Sequence, residues 1–323
     1  MELILVTGAN GFVGNSLIQG LLASSELFNV AVVARQDKLE WPEDVRVHLI
    51  DDLNSSTDWS DVLQDVTTVV HLASRVHVMN EETADPLFEF RRVNVGGALN
   101  LARQSAEAGV RRFVFISSIK ANGEVTDLNH PFTADQTPMP SDPYGVSKYE
   151  AEIGLRVLSE ETGMEVVIIR SPLVYGPGVK ANFLSMINWL WQGIPLPLGG
   201  ITKNRRSFVF IDNLVSIIIT CINHPAAANQ IFLVSDDEDL STAGLLERLA
   251  LALGRPSKLI AIPPTLIVLV AGLVGRADIA QRLCGSLQVD IRKTKDLLGW
   301  SPPVTVHEGL HRTAVSFLKA YIK

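Results

Sequence analysis

Short apolar runs alternate with longer helical patterns through the first half of the chain. The runs are Leu3–Val6, Val30–Ala34, Val45–Ile50, Thr67–Leu72, Phe113–Ser117 and Val166–Ile169. They are rich in Val and Ile and apolar on both parities, as strands buried on both faces of a parallel sheet are. Between them, Gly14–Leu22 and Val95–Ala108 have the pattern of crossover helices. This alternation predicts an α/β fold built on a doubly wound parallel sheet. Past Pro172 the rhythm changes, and Gly176, Pro177, Gly178, Gly193, Pro195, Pro197, Gly199 and Gly200 break up short elements. We therefore expect a first domain over residues 1–172 and a smaller, mixed α/β substrate domain over residues 173–323. The strand-like run Arg206–Ile211 opens a segment, near 206–225, expected to return to the first sheet. Val304–Ile322 reads as a closing amphipathic helix.

The length of 323 residues suits two domains. With 47% hydrophobic and 20% charged residues, the chain is neither disordered nor fibrous. Lys and Arg number 28 against 35 Asp and Glu, a net charge of -7. That balance argues against a nucleic-acid partner, so any anion site must be local. The two cysteines, Cys221 and Cys284, lack metal-ligand spacing, which excludes a zinc cluster or disulfide framework and fits a reducing cytoplasm. No basic leader precedes the first strand, so export is not expected. Leu259–Gly275 carries no charge over 17 residues, but Pro263 and Pro264 interrupt it. A helix over the remaining Thr265–Gly275 rises about 16 Å, roughly half a bilayer's hydrocarbon thickness. No stable membrane span is expected. The segment reads as a buried or substrate-pocket helix, with peripheral membrane contact as the alternative.

After the first strand comes Thr7-Gly8-Ala9-Asn10-Gly11-Phe12-Val13-Gly14, a GxxGxxG turn that opens a helix. Gly8 permits the tight turn, Gly11 lets backbone approach a pyrophosphate, and Gly14 allows close helix packing. The context marks a dinucleotide site in a Rossmann-like domain. At the end of the second strand an acidic residue would select NAD, yet Arg35 stands there and Asp37 comes two residues late. A charge-assisted contact from Arg35 to a 2′-phosphate contributes about 1.5–3 kcal/mol, which favours NADP over NAD. Asp52 and Leu53 are placed to meet the adenine, and Leu72, Ala73 and Ser74 to run beneath the ribose and nicotinamide.

Tyr144 and Lys148 form a YxxxK pair on one face of a helix, whose Val146, Ile153 and Val157 read as an inward stripe. A tyrosine acting near neutrality must fall from about 10 to near 7, roughly 4 kcal/mol. An ammonium ~4 Å away in an effective dielectric of ~20 supplies about that much, so Lys148 is the expected source. Ser118 closes a strand where open α/β sheets place their chemistry, and can donate to the oxygen that Tyr144 protonates.

Together these pieces resemble the extended short-chain dehydrogenase/reductase family, in its nucleotide-sugar epimerase and dehydratase branch. The resemblance rests on TGANGFVG, Asp52-Leu53, His71-Leu-Ala-Ser, Asn94-Val-Gly-Gly, Ser117-Ser118, Tyr144-xxx-Lys148, Arg170-Ser-Pro-Leu-Val-Tyr-Gly-Pro-Gly and Arg206-Ser-Phe-Val-Phe-Ile-Asp-Asn-Leu. Ser118-Ile-Lys-Ala-Asn-Gly-Glu124, Val179-Lys-Ala-Asn-Phe183 and Leu297-Leu-Gly-Trp-Ser-Pro look most like bacterial proteins of O-antigen sugar synthesis. The resemblance implies a UDP-sugar substrate, a homodimer, and further roles. Asn94 and Ser117 join the cofactor site, and Leu173 and Val174 present backbone to the nicotinamide amide. Arg206, with Asn182 and Arg282, binds the substrate diphosphate. Many relatives carry Asn at the position of Leu173.

Dehydratases of this branch place Asp-Glu directly after the strand-end hydroxyl residue, and Ile119-Lys120 stands there instead, which removes the acid and base of that reaction. Reduction and 4-epimerisation remain. Arg35 tilts the expectation toward NADPH-dependent reduction at carbon 4 of a UDP-4-keto-6-deoxy-N-acetylhexosamine. The alternative is 4-epimerisation of a UDP-hexose or UDP-N-acetylhexosamine. Steroid or flavonoid carbonyls are a more distant alternative, against which Arg206 speaks, since an apolar substrate needs no phosphate clamp.

Overall fold

The computed structural model describes residues 1–24, 26–36, 41–76 and 85–321. Asp37 and Ile322 lie outside them. In chain order, β1 (Glu2–Thr7) leads to α1 (Phe12–Leu22), β2 (Phe28–Ala34), β3 (Val45–Leu49) and β4 (Thr68–His71). Next, α2 (Pro86–Phe90) runs through a π-helical stretch, Arg91–Gly97, into α3 (Ala98–Glu107), followed by β5 (Arg112–Ser118), α4 (Pro143–Thr162) and β6 (Glu165–Ser171). The remainder comprises β7 (Leu173–Tyr175), α5 (Ala181–Trp191), β8 (Phe208–Phe210), α6 (Ile211–Asn223), β9 (Ile231–Leu233), α7 (Thr242–Ala252), α8 (Pro264–Leu273), α9 (Ala277–Cys284), α10 (Arg292–Leu298) and α11 (Val306–Tyr321).

Seven strands form one parallel sheet in the order β3-β2-β1-β4-β5-β6-β9. The order reverses direction at β1, where β1 pairs with β2 on one side and β4 on the other. A crevice opens there at the strands' C-terminal ends, the place where such sheets bind ligands. Leu17 and Ile18 of α1 and Leu214 and Ile218 of α6 pack with Ile4, Val6 and Val32 over one face. Leu101 of α3 and Ala151 and Leu155 of α4 pack with Leu5, Val69 and Phe113 over the other. Each fully buried leucine or isoleucine contributes about 1.5–3 kcal/mol. A third cluster joins Tyr175, Phe183, Phe208, Phe210, Leu249 and Leu310. Through it, the Tyr175 hydroxyl donates to Asp236 Oδ2 at 2.8 Å, while the Phe210 amide donates to Asp236 Oδ1 at 2.7 Å.

Four local expectations are corrected. Within Arg206–Ile211, Phe208–Phe210 pairs with β7 in a separate two-stranded sheet. The strand that completes the main sheet is β9, three residues of the short apolar run Ile231–Val234, which was not among the expected strands. The return near 206–225 is made by α6, which packs against α1. Strand β3 is an edge strand in which only Val45 is buried, and Val47 and Leu49 on the same face are exposed. On α4, Ile153 and Val157 are each 47% exposed, and the inward face is Lys148, Ala151, Glu152 and Leu155. Finally, α8 is not a buried helix, since none of its residues is buried. Among the described residues no helix is long and apolar enough to cross a membrane.

Candidate active site

The glycine turn closes tightly against the end of β4. Gly8 has φ +72°, and a Cβ on it would lie 2.6 Å from the Ala73 amide nitrogen. A Cβ on Gly14 would meet the Gly8 carbonyl oxygen at 2.2 Å, so α1 approaches the turn as closely as backbone allows. Gly11 is the N-cap of α1, without a capping side chain and with no acidic residue in the first turn. The first amides of the helix therefore keep an uncompensated positive end, which fits a pyrophosphate. Asn10 is exposed, while Phe12 and Val13 are half-buried and pack toward the third cluster. These residues fit a dinucleotide.

Around that turn the cofactor candidates separate into two groups. Leu72, Ala73 and Ser74 are half-buried along the crevice. Asn94 is buried in the π-helical stretch, where Oδ1 accepts from the Ser74 hydroxyl (3.1 Å) and the Arg75 amide (2.8 Å), and Nδ2 donates to Ser147 Oγ (3.0 Å). It fixes the loop that lines the site. Asp52 is engaged by Arg92 at 2.9 Å, which holds its carboxyl below the usual range, and Leu53 is buried beneath Gly97. Arg35 is exposed after β2. Ser117 is buried and donates to Glu152 Oε1 at 2.5 Å, so its hydroxyl serves an internal network. Leu173 and Val174 form β7, with Leu173 exposed.

Ser118, Tyr144 and Lys148 converge at the end of β5 and the start of α4. Asp142 caps α4 by accepting from the Gly145 amide at 2.8 Å, and Pro143 fixes its first turn. Tyr144 stands on that turn, with the Ser74 and Ser118 hydroxyls acting on its phenol and Phe90 edge-on at 5.9 Å. Burial pushes the phenol up to about 12. Lys148 is buried, donates to the Ile116 carbonyl at 2.9 Å, and sits 4.6 Å over the Phe115 ring. Burial brings its ammonium down to about 7, partly opposed by Glu152. This alters the electrostatic expectation: the groups acting on the phenol are Ser74, Ser118 and Asp142, and Lys148 is not among them. Desolvation penalises both charged forms, so burial favours a protonated phenol and weakens the ammonium beside it. Lys120 bonds Asp142 at 2.5 Å and Glu124 at 2.9 Å.

Sequence reasoning missed the framework underneath. Glu152 and Arg170 form a buried ion pair at 2.5 Å, and Arg170 Nη1 also donates to Asn122 Oδ1 at 2.9 Å. The signals were present: Glu152 lies one turn beyond Lys148, and Arg170 is a charge inside an apolar strand.

His71, too, was only part of a motif. Its Nδ1 lies 2.8 Å from the Thr7 hydroxyl, which accepts from the Ala73 amide at 3.3 Å, so the ring joins β4 to the glycine turn. Burial, then the Lys148 charge, lowers His71 to about 3. The unfolded chain therefore binds a proton near pH 6.5 that the fold refuses until about 3. Across that window stability falls as pH falls, by about 1.4 kcal/mol per pH unit from this group. Urea midpoints of His71→Asn should have a correspondingly shallower pH slope than wild type. Coincident slopes would remove His71 from the acid response.

In the second part of the chain, Arg206 and Arg282 come together. Arg206 Nη1 donates to the Arg282 carbonyl at 2.7 Å, and burial followed by the Arg282 charge lowers the Arg206 guanidinium. Two cations held this close suit a diphosphate. Asn182 is exposed in the first turn of α5, after Ala181 at φ +53°. A cleft of about 410 Å³ beside Pro177 and α11 contains none of these groups. Among the described residues no cluster of His, Cys, Asp and Glu could hold a metal.

Known proteins resemble this chain over nearly its whole length. UDP-glucose 4-epimerase of Vibrio cholerae is 49% identical over 318 residues, 98% of this chain and 96% of the relative. The N-acetyl-alpha-D-glucosaminyl-diphospho-ditrans,octacis-undecaprenol 4-epimerase of Escherichia coli O157:H7 is 25% identical over 327 residues, 96% of this chain and 93% of its own. The crystal structure of UDP-glucuronic acid 4-epimerase from Bacillus cereus in complex with NAD has the same fold, with a TM-score of 0.81 at 23% identity, covering 99% of this chain and 97% of that one. Residues 4–235 match the NAD dependent epimerase/dehydratase family, and the chain is an enzyme of that family.

Proposed function

We propose that this enzyme is a UDP-sugar 4-epimerase that holds NAD at the glycine turn. The observation that carries the reading is the 49% identity, over nearly the whole of both chains, to a UDP-glucose 4-epimerase. The turn of Gly8, Gly11 and Gly14 would hold NAD, which would supply a reversible hydride acceptor for sugar carbon 4 that allows return to the opposite face. Tyr144 takes the proton of the 4-hydroxyl and returns it, while Ser118 donates a hydrogen bond to the same oxygen. Lys148 carries a proton and orients the site from beneath. Arg206 and Arg282 grip the diphosphate, and Asn182 borders it, so that binding energy far from carbon 4 holds the sugar in register. The substrates are those of the cytoplasm. Ile153 and Val157, exposed on α4, are the apolar surface on which a homodimer would form.

Arg35 keeps a second reading alive, NADPH-dependent reduction of a 4-keto sugar nucleotide at the same carbon. The two differ in cofactor traffic. An epimerase retains its dinucleotide, whereas a reductase exchanges it. The protein as purified should release NAD or NADH in near-equimolar amount and interconvert UDP-glucose and UDP-galactose with no cofactor added. An empty enzyme that oxidises NADPH only with a 4-keto sugar nucleotide would replace epimerisation by reduction and make Arg35 the phosphate ligand.

A further inference from the structure

Helix α8 and its flanks are the one stretch of the described surface where a long apolar sequence lies open. From Leu259 to Gly275 the only side chain with a polar group is the hydroxyl of Thr265. Leu266, Leu269, Val270 and Leu273 lie at i, i+3, i+4 and i+7, on one face of the helix. They are 47%, 60%, 51% and 80% exposed, and Val268 is 45% exposed on another side. Large apolar side chains at such density mark an interaction surface.

The surrounding charges say what covers it. Between residues 255 and 282 the charged residues are Arg255, Lys258, Arg276 and Arg282, against Asp278 alone, in a chain whose net charge is -7. Lys258 and Arg276 flank the helix and are exposed. A second copy meeting this face on a two-fold axis would bring the same basic rim against itself, and like charges across an interface oppose association. An anionic bilayer complements both parts, taking the apolar side chains at the acyl boundary and the basic rim among its phosphates. With 10 residues, the helix is about 15 Å long, enough to lie in the interface and too short to span it.

We propose that α8, with Lys258 and Arg276, docks the enzyme on the surface of an anionic bilayer. The docking face is continuous with α9, whose Arg282 carbonyl receives the Arg206 guanidinium.

The test is co-sedimentation of the full chain with vesicles of phosphatidylethanolamine and phosphatidylglycerol, beside vesicles of phosphatidylcholine alone. Wild type should sediment with the first, and Leu269→Glu/Leu273→Glu should weaken that by at least about tenfold. Lys258→Glu/Arg276→Glu should abolish the preference for the anionic vesicles. Turnover of soluble UDP-sugar by both variants should match wild type, which reports that they are folded whatever the sugar proves to be. Equal sedimentation of wild type and the leucine variant would overturn the proposal. So would an absence of vesicle binding together with a self-association, seen by light scattering, that the leucine variant breaks.

Discussion

Tyr144→Phe should lower kcat by about 10²–10⁴-fold while bound NAD and thermal stability stay near wild type, because what is removed is a proton donor and acceptor. The ring itself remains, and with it the edge-on contact with Phe90 at 5.9 Å. The loss should fall on kcat with little change in KM, since the proposed function puts the substrate's diphosphate on Arg206 and Arg282 rather than on Tyr144. Steady-state kinetics on UDP-glucose and a count of released dinucleotide check both halves. Unchanged kcat would remove the phenol from the chemistry and with it the role given to Ser118. A stable variant that has lost its dinucleotide would instead make Tyr144 a cofactor ligand.

Glu152→Ala should cost about 3–5 kcal/mol, because Arg170 is 1% exposed and would keep its charge with only the Asn122 amide oxygen as partner. For a chain of this size that corresponds to a fall in Tm of roughly 4–7 °C. The double variant Glu152→Met/Arg170→Met should recover most of the loss, since removing both charges also removes their desolvation. The neighbouring Ser117 hydroxyl, which donates to the same carboxylate at 2.5 Å, loses its acceptor in either case. A single variant as stable as wild type would mean that water or another carboxylate reaches Arg170.

The main sheet was legible because strands such as Val166–Ile169 are apolar on both parities, a pattern that only burial on both faces explains. The glycine turn was legible for a similar reason, since each glycine stands where a Cβ would strike backbone. Strand β9 was not, because the four apolar residues Ile231–Val234 are too few to establish a period, and their pairing to β6 is decided by the tertiary fold. The face of α4 was misread because the site inverts the usual rule. There the inward positions are Lys148 and Glu152, held by Ile116 and Arg170, and the apolar Ile153 and Val157 point out. The electrostatics of Tyr144 were legible only in kind: spacing shows that an ammonium shares its helix face, but not that burial would weaken that ammonium. The arginine pair was legible as two residues and not as a pair, since 76 positions separate them.

The wide turn at Arg91–Gly97 has a consequence for how this site can change. A π-helical stretch accommodates about one residue more than α geometry would over the same span. Deleting a single residue there would let the segment close into plain α-helix with α2 and α3 kept nearly in phase, because the wide turn already absorbs that residue. What would be lost is the local widening that carries Asn94 to the Ser74 loop. One missing codon in this segment would thus release one wall of the crevice while leaving the flanking helices and the sheet behind them whole.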